Sequence, residues 1–181
     1  MSQLQRTKRI GIPEQGSALI EYALVLILML TFLFAIIDFA RALYAYHFVA
    51  NAAREATRFA IVRGTTWTAS NQCGSDPAFP GGCEASTPDV QLYVQTQATG
   101  IGLNDPALIK ATLAPLPSPN AGGADCSVGP PINPGCLAQV TVTYPFKFIM
   151  PFLPAPTPTP ACNNESASIC MTSTSEMVVT Q

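Results

Sequence analysis

The chain is short of the residues that most enzymes depend on. Its 181 residues include a single histidine, His47, and only 11% are charged. A catalytic triad or a histidine-based metal site needs further groups converging on the imidazole, and none is indicated around His47. No basic patch with interleaved aromatic residues exists, which excludes a nucleic-acid surface. Gly81-Gly82 and Gly122-Gly123 lack the flanking strand and helix of a phosphate-cradling loop. Cysteine-based metal sites use ligand pairs about two to four residues apart, a spacing that none of the cysteines shows. The sequence therefore gives no metal site, no cofactor site and no catalytic residue.

The charges and prolines that are present divide the chain. Seven of the nine Lys and Arg lie at or before Arg63, and only Lys110 and Lys147 follow. Seven acids also lie beyond that point, so the later part carries −5 by direct count, two cations less seven acids. All six cysteines and sixteen of the seventeen prolines fall after residue 65. Composition alone thus separates an N-terminal segment from a head of residues 64–181. An even number of cysteines in a Pro- and Gly-rich region points to an oxidising compartment.

From Ala23 to Ile37 the sequence is continuously apolar apart from Thr31, with no charge. Extended to Ser17 and Ala42, the run spans about 39 Å as a helix, long enough to cross a bilayer. Arg6, Lys8 and Arg9 precede it. The positive-inside rule then leaves the N-terminus cytoplasmic and the head extracytoplasmic, with membrane lipid as a partner. The competing expectation is a secretory signal peptide cut after Ala40-Arg41-Ala42. Against it, the apolar run is long and the helical pattern continues through the cleavage site.

Glu21 stands at the edge of this run. A carboxylate at mid-membrane costs roughly 2.5 kcal/mol or more on insertion scales. No cation lies within one helical turn of it in sequence. Either it sits among headgroups, where the cost is small, or its partner comes from another molecule.

Gly16-Ser-Ala-Leu-Ile-Glu21-Tyr22 fits the pattern of Gly, four residues and Glu-Tyr that marks the processing site of Flp-type type IVb prepilins. With Ile37-Asp-Phe-Ala-Arg-Ala-Leu-Tyr and Asn51-Ala-Ala-Arg-Glu-Ala-Thr-Arg-Phe-Ala, the stretch Gly16–Gly64 resembles the N-terminal region of TadE-like pseudopilins of the Tad (tight adherence) pilus system. The resemblance implies a leader of residues 1–16, removed by a prepilin peptidase that cuts between Gly16 and Ser17. Tyr22 completes the motif. Glu21 then becomes available to the new amine of Ser17 on a neighbouring subunit. Losing one partner of such a buried ion pair costs about 3–5 kcal/mol, so the pair would set subunit register. Other pseudopilins and the Tad pilus assembly machinery are the implied partners.

No proline interrupts Ser17–Arg63, and alanine is frequent, which predicts one continuous helix over residues 17–63. At about 1.5 Å per residue it spans roughly 70 Å, more than twice a bilayer core. Its anchor part covers about residues 18–40, and residues 41–63 continue outside. Asp38 and Arg41, and Glu55 and Arg58, are spaced to pair on one face. Leu43, Tyr46, Ala50, Ala53 and Ala60 form a strip expected to pack beneath the head. Arg63 and Gly64 provide a stop.

In the head, Thr87 is expected to cap a short helix with Pro88 in its first turn. Val90, Val94, Ala98 and Ile101 line one side, and Gly100 and Gly102 end it. Three strands are expected at Leu108–Ala114, Leu137–Tyr144 and Ser168–Val179, with Ile109, Ala111 and Leu113, then Val140, Val142 and Tyr144, then Ile169, Met171, Met177 and Val179, each set on one side of its strand. The fold class is α+β and pilin-like: a long transmembrane helix, a short helix and a small antiparallel sheet of three strands or more. Cys73/Cys83, Cys126/Cys136 and Cys162/Cys170 each bracket one loop. Fifteen pairings are open to six cysteines. Local pairing would staple each connection, at roughly 2–3 kcal/mol per loop of about ten residues. Pro154–Pro160 reads as a stiff extended segment, and Asn164-Glu-Ser166 matches a glycosylation sequon.

Three functions compete at this level. A pseudopilin or minor pilin assembles in the membrane and loses residues 1–16. A signal-anchored binding module keeps them. A secreted enzyme begins near Leu43.

Overall fold

The computed structural model describes residues 15–65, 84–99, 106–118, 125–126, 132–149, 162 and 168–180. Across them the order is α1 (Gln15–Val62), α2 (Thr87–Thr99), a single 3-10 turn at Pro106–Leu108, then β1 (Lys110–Leu116), β2 (Leu137–Lys147) and β3 (Ser168–Val178). The strands form an antiparallel meander in the order β1-β2-β3. This is the α+β arrangement the sequence predicts.

The sheet is covered on one face. α1 packs over β2 and β3, and α2 over β1. Strand residues alternate between the two faces. Ala111 and Leu113 of β1, with Ala138, Val140, Val142, Tyr144 and Phe146 of β2, point into the core. On the opposite face Thr141 and Thr174 share a hydrogen bond of 3.1 Å, and Gln139 donates to Glu176 at 2.6 Å. Such alternation is what an antiparallel sheet with one solvated face requires.

The upper half of α1 carries the head. Its buried stripe is Ala45, Phe48, Val49, Ala52, Ala53, Ala56, Thr57 and Ala60. Small side chains at helical spacing let the sheet approach the helix backbone closely. The strip expected from sequence was only half right: Ala53 and Ala60 are buried, whereas Leu43 and Tyr46 are 45% and 57% exposed and Ala50 lies between. The interface is built mainly of alanines, together with Phe48 and Val49.

The top of α1 is closed by tertiary partners. Thr180 donates its backbone N–H to the Ile61 carbonyl at 3.3 Å, and Ala85 donates to the Arg63 carbonyl at 2.8 Å. These take orphan carbonyls that any helix end must satisfy. Gly64 follows the helix, but among the described residues Gly135 is the glycine with positive φ, at 86°. The stop at Arg63–Gly64 is therefore made by these cross-links and not by a left-handed cap. At Gly135 the positive φ turns the chain so that its N–H reaches the Val179 carbonyl at 2.9 Å.

Three further boundaries move. The cap of α2 is Ser86, one residue before the expected Thr87. Ser86 and Asp89 bond reciprocally, Asp89 N–H to Ser86 Oγ at 3.4 Å and Ser86 N–H to Asp89 Oδ2 at 3.2 Å. This is a capping box with Asp in place of Glu. Thr87 is free to donate to the Leu113 carbonyl at 3.4 Å, tying α2 to β1. The first strand starts at Lys110, because Pro106–Leu108 takes a 3-10 turn, and the second runs on through Pro145 to Lys147.

Disulfides join Cys126 to Cys136 and Cys162 to Cys170, each closing the loop its cysteines bracket. Cys73 and Cys83 lie outside the described residues. So do residues 1–14, Ile101 with its flanking glycines, both Gly-Gly pairs, Pro154–Pro160 and the Asn164 sequon.

Candidate functional site: the exposed helix and its junction with the head

Every residue from Gly16 to Ile37 is exposed, on all sides of α1. Leu19, Ile20, Met29, Phe32 and Ile36 are each 67–71% exposed. An 18-residue window with only 6% of its residues buried makes α1 long and apolar enough to cross a membrane. A helix that is apolar all round needs an apolar surrounding, and the head does not supply it.

The sequence-predicted site residues lie at the start of this segment. Gly16 and Ser17 fall in the first turn of α1, with Glu21 one turn further on and Tyr22 beside it, 67% exposed. Ser17 and Glu21, four apart, share a helix face. Glu21 makes no ion pair with another described residue, so the carboxylate stands available to a group from outside. A Cβ built on Gly16 meets nothing within 4 Å. The fold's own packing therefore does not require glycine at that position.

The junction with the head is built on Asp38, the first buried residue of α1 and only 3% exposed. Its Oδ1 accepts from Arg41 at 3.0 Å, and its Oδ2 accepts the backbone N–H of Ile149 at 3.1 Å. The Arg41 guanidinium stands over the Phe146 ring at 5.5 Å from its centre. One carboxylate thus ties the lower end of β2 to α1 where the exposed run ends. Sequence spacing gave the Asp38–Arg41 pair. The Ile149 bond, across 111 positions, left no local signal.

Higher on the helix, Phe59 stacks on Tyr93 at 4.6 Å with Arg63 over its other side, joining α1 to α2. The expected Glu55–Arg58 pair forms at 3.2 Å but is largely exposed. Such a surface pair is worth little. His47 lies on the exposed side of α1, edge-on to Tyr46. With Tyr44, Phe48, Asn51, Glu55 and Gln97 it lines a shallow groove of about 250 Å³.

These features define a class: an α+β head stacked on one helix whose lower half is a candidate membrane span. Residues 16–58 match the family model described as TadE-like protein, so this stretch of α1 is similar to that family. The match runs from the glycine of the predicted processing motif to Arg58 and includes Glu21, Tyr22, Asp38 and Arg41. The TadE-like family points to an association with the Tad pilus, a structural assembly. Neither the curated proteins nor the solved structures gave a match to the chain.

Proposed function

We propose that this chain is a pseudopilin, or minor pilin, that takes part in assembling a Tad (Flp-type) pilus and acts structurally, not as a catalyst. The observation that carries the reading is α1 itself. Its lower half is apolar and exposed on every side, and it is interrupted near its start by the carboxylate of Glu21, which pairs with no other described residue. Its upper half is rigidly fixed to a folded head. A helix of this design is suited to lie in a bilayer and then pass sideways against other helices without the head unfolding.

Processing follows from the first turn. A prepilin peptidase would cleave between Gly16 and Ser17, and the openness around Gly16 supports a glycine demanded by the protease and not by packing. Water adds across that peptide bond, releasing the Gly16 carboxylate and the Ser17 amine. The amine is mostly protonated at neutral pH. In a low-dielectric surrounding it would find its counter-charge in Glu21 of a neighbouring pseudopilin. The head faces the extracytoplasmic side, consistent with its disulfides.

The test is the N-terminal residue of the protein recovered from membranes of its own host. A chain beginning at Ser17 supports the reading. An intact Met1 favours a signal-anchored binding module, and a start near Leu43 removes the membrane helix altogether. Glu21→Gln should abolish assembly into complexes with other pseudopilins; if processing and assembly both continued unchanged, the role given to Glu21 would be wrong.

A further inference from the structure

Ile149 is 66% exposed, more than any other large apolar side chain of the head among the described residues. It is held there from two sides. Its backbone N–H is bonded to Asp38 at 3.1 Å, and the preceding Phe148 packs edge-on against Phe146 at 5.2 Å between centres. Asp38 fixes the height of Ile149 along α1, just above the exposed run that ends at Ile37. At the same level Ile36 and Phe39 are 67% and 63% exposed.

The height matters because of length. From Ser17 to Ile37 the helix rises about 31 Å, and a bilayer core is about 30 Å thick. A bilayer placed around the exposed run therefore has its head-side boundary at the level of Asp38, where Ile149 is held. The surroundings have the chemistry of that boundary. Lys147 is exposed at the end of β2, and Tyr44 and Tyr46 are 51% and 57% exposed on α1. A cation and tyrosines above an apolar rim suit lipid headgroups. A protein-facing patch has no need of this layering. The charge of Asp38 is met by Arg41 and the Ile149 N–H, which lowers the cost of placing it at that height.

We propose that the head docks on the bilayer through Ile149, whose side chain inserts into the head-side leaflet beside Phe39. The inference rests on the reading of α1 as a membrane anchor. The head is then held by lipid as well as by its own helix. Its orientation on the membrane is fixed before any partner binds.

Tryptophan fluorescence in the full chain tests this, since Trp67 is the only native tryptophan. In a Trp67→Phe background, single tryptophans are introduced as Ile27→Trp, Ile149→Trp and Thr174→Trp. Each protein is reconstituted into phosphatidylcholine–phosphatidylglycerol vesicles with and without lipids brominated on the acyl chain. Ile149 bonds Asp38 only through its backbone and its side chain is exposed, so the substitution leaves the fold in place. The expected result is strong quenching at positions 27 and 149, with shallow bromines more effective at 149, and none at 174. Quenching at 27 with position 149 reached only by aqueous iodide would overturn the docking and leave the anchor standing. Absence of quenching at 27 would overturn both. Quenching at all three positions would also overturn it, because the open sheet face would then be in lipid.

Discussion

The two halves of α1 are one uninterrupted helix with opposite relations to their surroundings. From Gly16 to Ile37 the residues are mostly large and apolar, and all are exposed; from Ala45 to Ala60 the buried ones are mainly small and confined to a single stripe. The difference shows that hydrophobicity by itself does not say what a helix will bury. Large side chains on every side suit a fluid solvent such as lipid, which adapts to any shape. A protein partner is rigid and packs densely, so it rewards a smooth face that allows close approach. Alanine supplies that face, and it also keeps the helix intact with little entropic cost.

The sharpest way to break this contrast is to give the upper half a residue typical of the lower. Ala56 is completely buried against the head. Ala56→Leu should destabilise the head by about 3 kcal/mol, as overpacking does in a dense core. Chemical unfolding of the purified chain in detergent, followed by a head-specific signal, would measure it. A change below half of that would mean the helix–sheet interface is loose.

At the boundary between the halves, Asp38→Ala removes the acceptor of two hydrogen bonds, one to a cation that is partly exposed. A loss of about 2 kcal/mol is expected. Hydrogen exchange should show it as faster exchange at the end of β2, around Phe146–Ile149, with the top of the sheet unchanged. Asp38→Asn keeps an acceptor for Ile149 and should cost less.

Thr57 is the polar exception within the alanine stripe. Its hydroxyl donates to the Ala53 carbonyl at 2.7 Å and lies 3.3 Å from the Ser175 carbonyl of β3. Thr57→Val keeps the shape and removes the bonds, for an expected loss of about 1 kcal/mol. Urea midpoints of the two proteins decide it.

The smallest effect belongs to the lower half. Leu28 is 53% exposed, so Leu28→Ala should leave head stability within about 0.5 kcal/mol. A loss as large as that of a core leucine would show that the exposed run packs on the head after all.

Much of the fold could be read in advance because its signals are local. The helix announces itself by an absence of proline, and the core faces of β1 and β2 by strict alternation at Ile109–Leu113 and Val140–Tyr144. β3 was harder to read, since Ser173 and Ser175 occupy the inward positions between Met171 and Met177. Small polar residues serve there because α1 passes close by, as the Thr57 contact shows. The candidate processing residues Gly16, Ser17, Glu21 and Tyr22 came from a motif, and the structure adds that they stand open at the start of α1. Asp38 was recognised for its neighbour Arg41, but its bond to Ile149 depends on a residue far along the chain.

The sequence by itself determined the division into an apolar helix and a disulfide-bearing head, because composition and periodicity act over a few residues. It also determined where the membrane-length run begins and ends. The tertiary structure decided which face of α1 carries the head, that alanines and not Leu43 or Tyr46 make that contact, and that Asp38 fixes the sheet at the level where the exposed run stops. Those outcomes depend on how closely two surfaces can approach and on which backbone groups then need partners. Both are properties of elements already packed together.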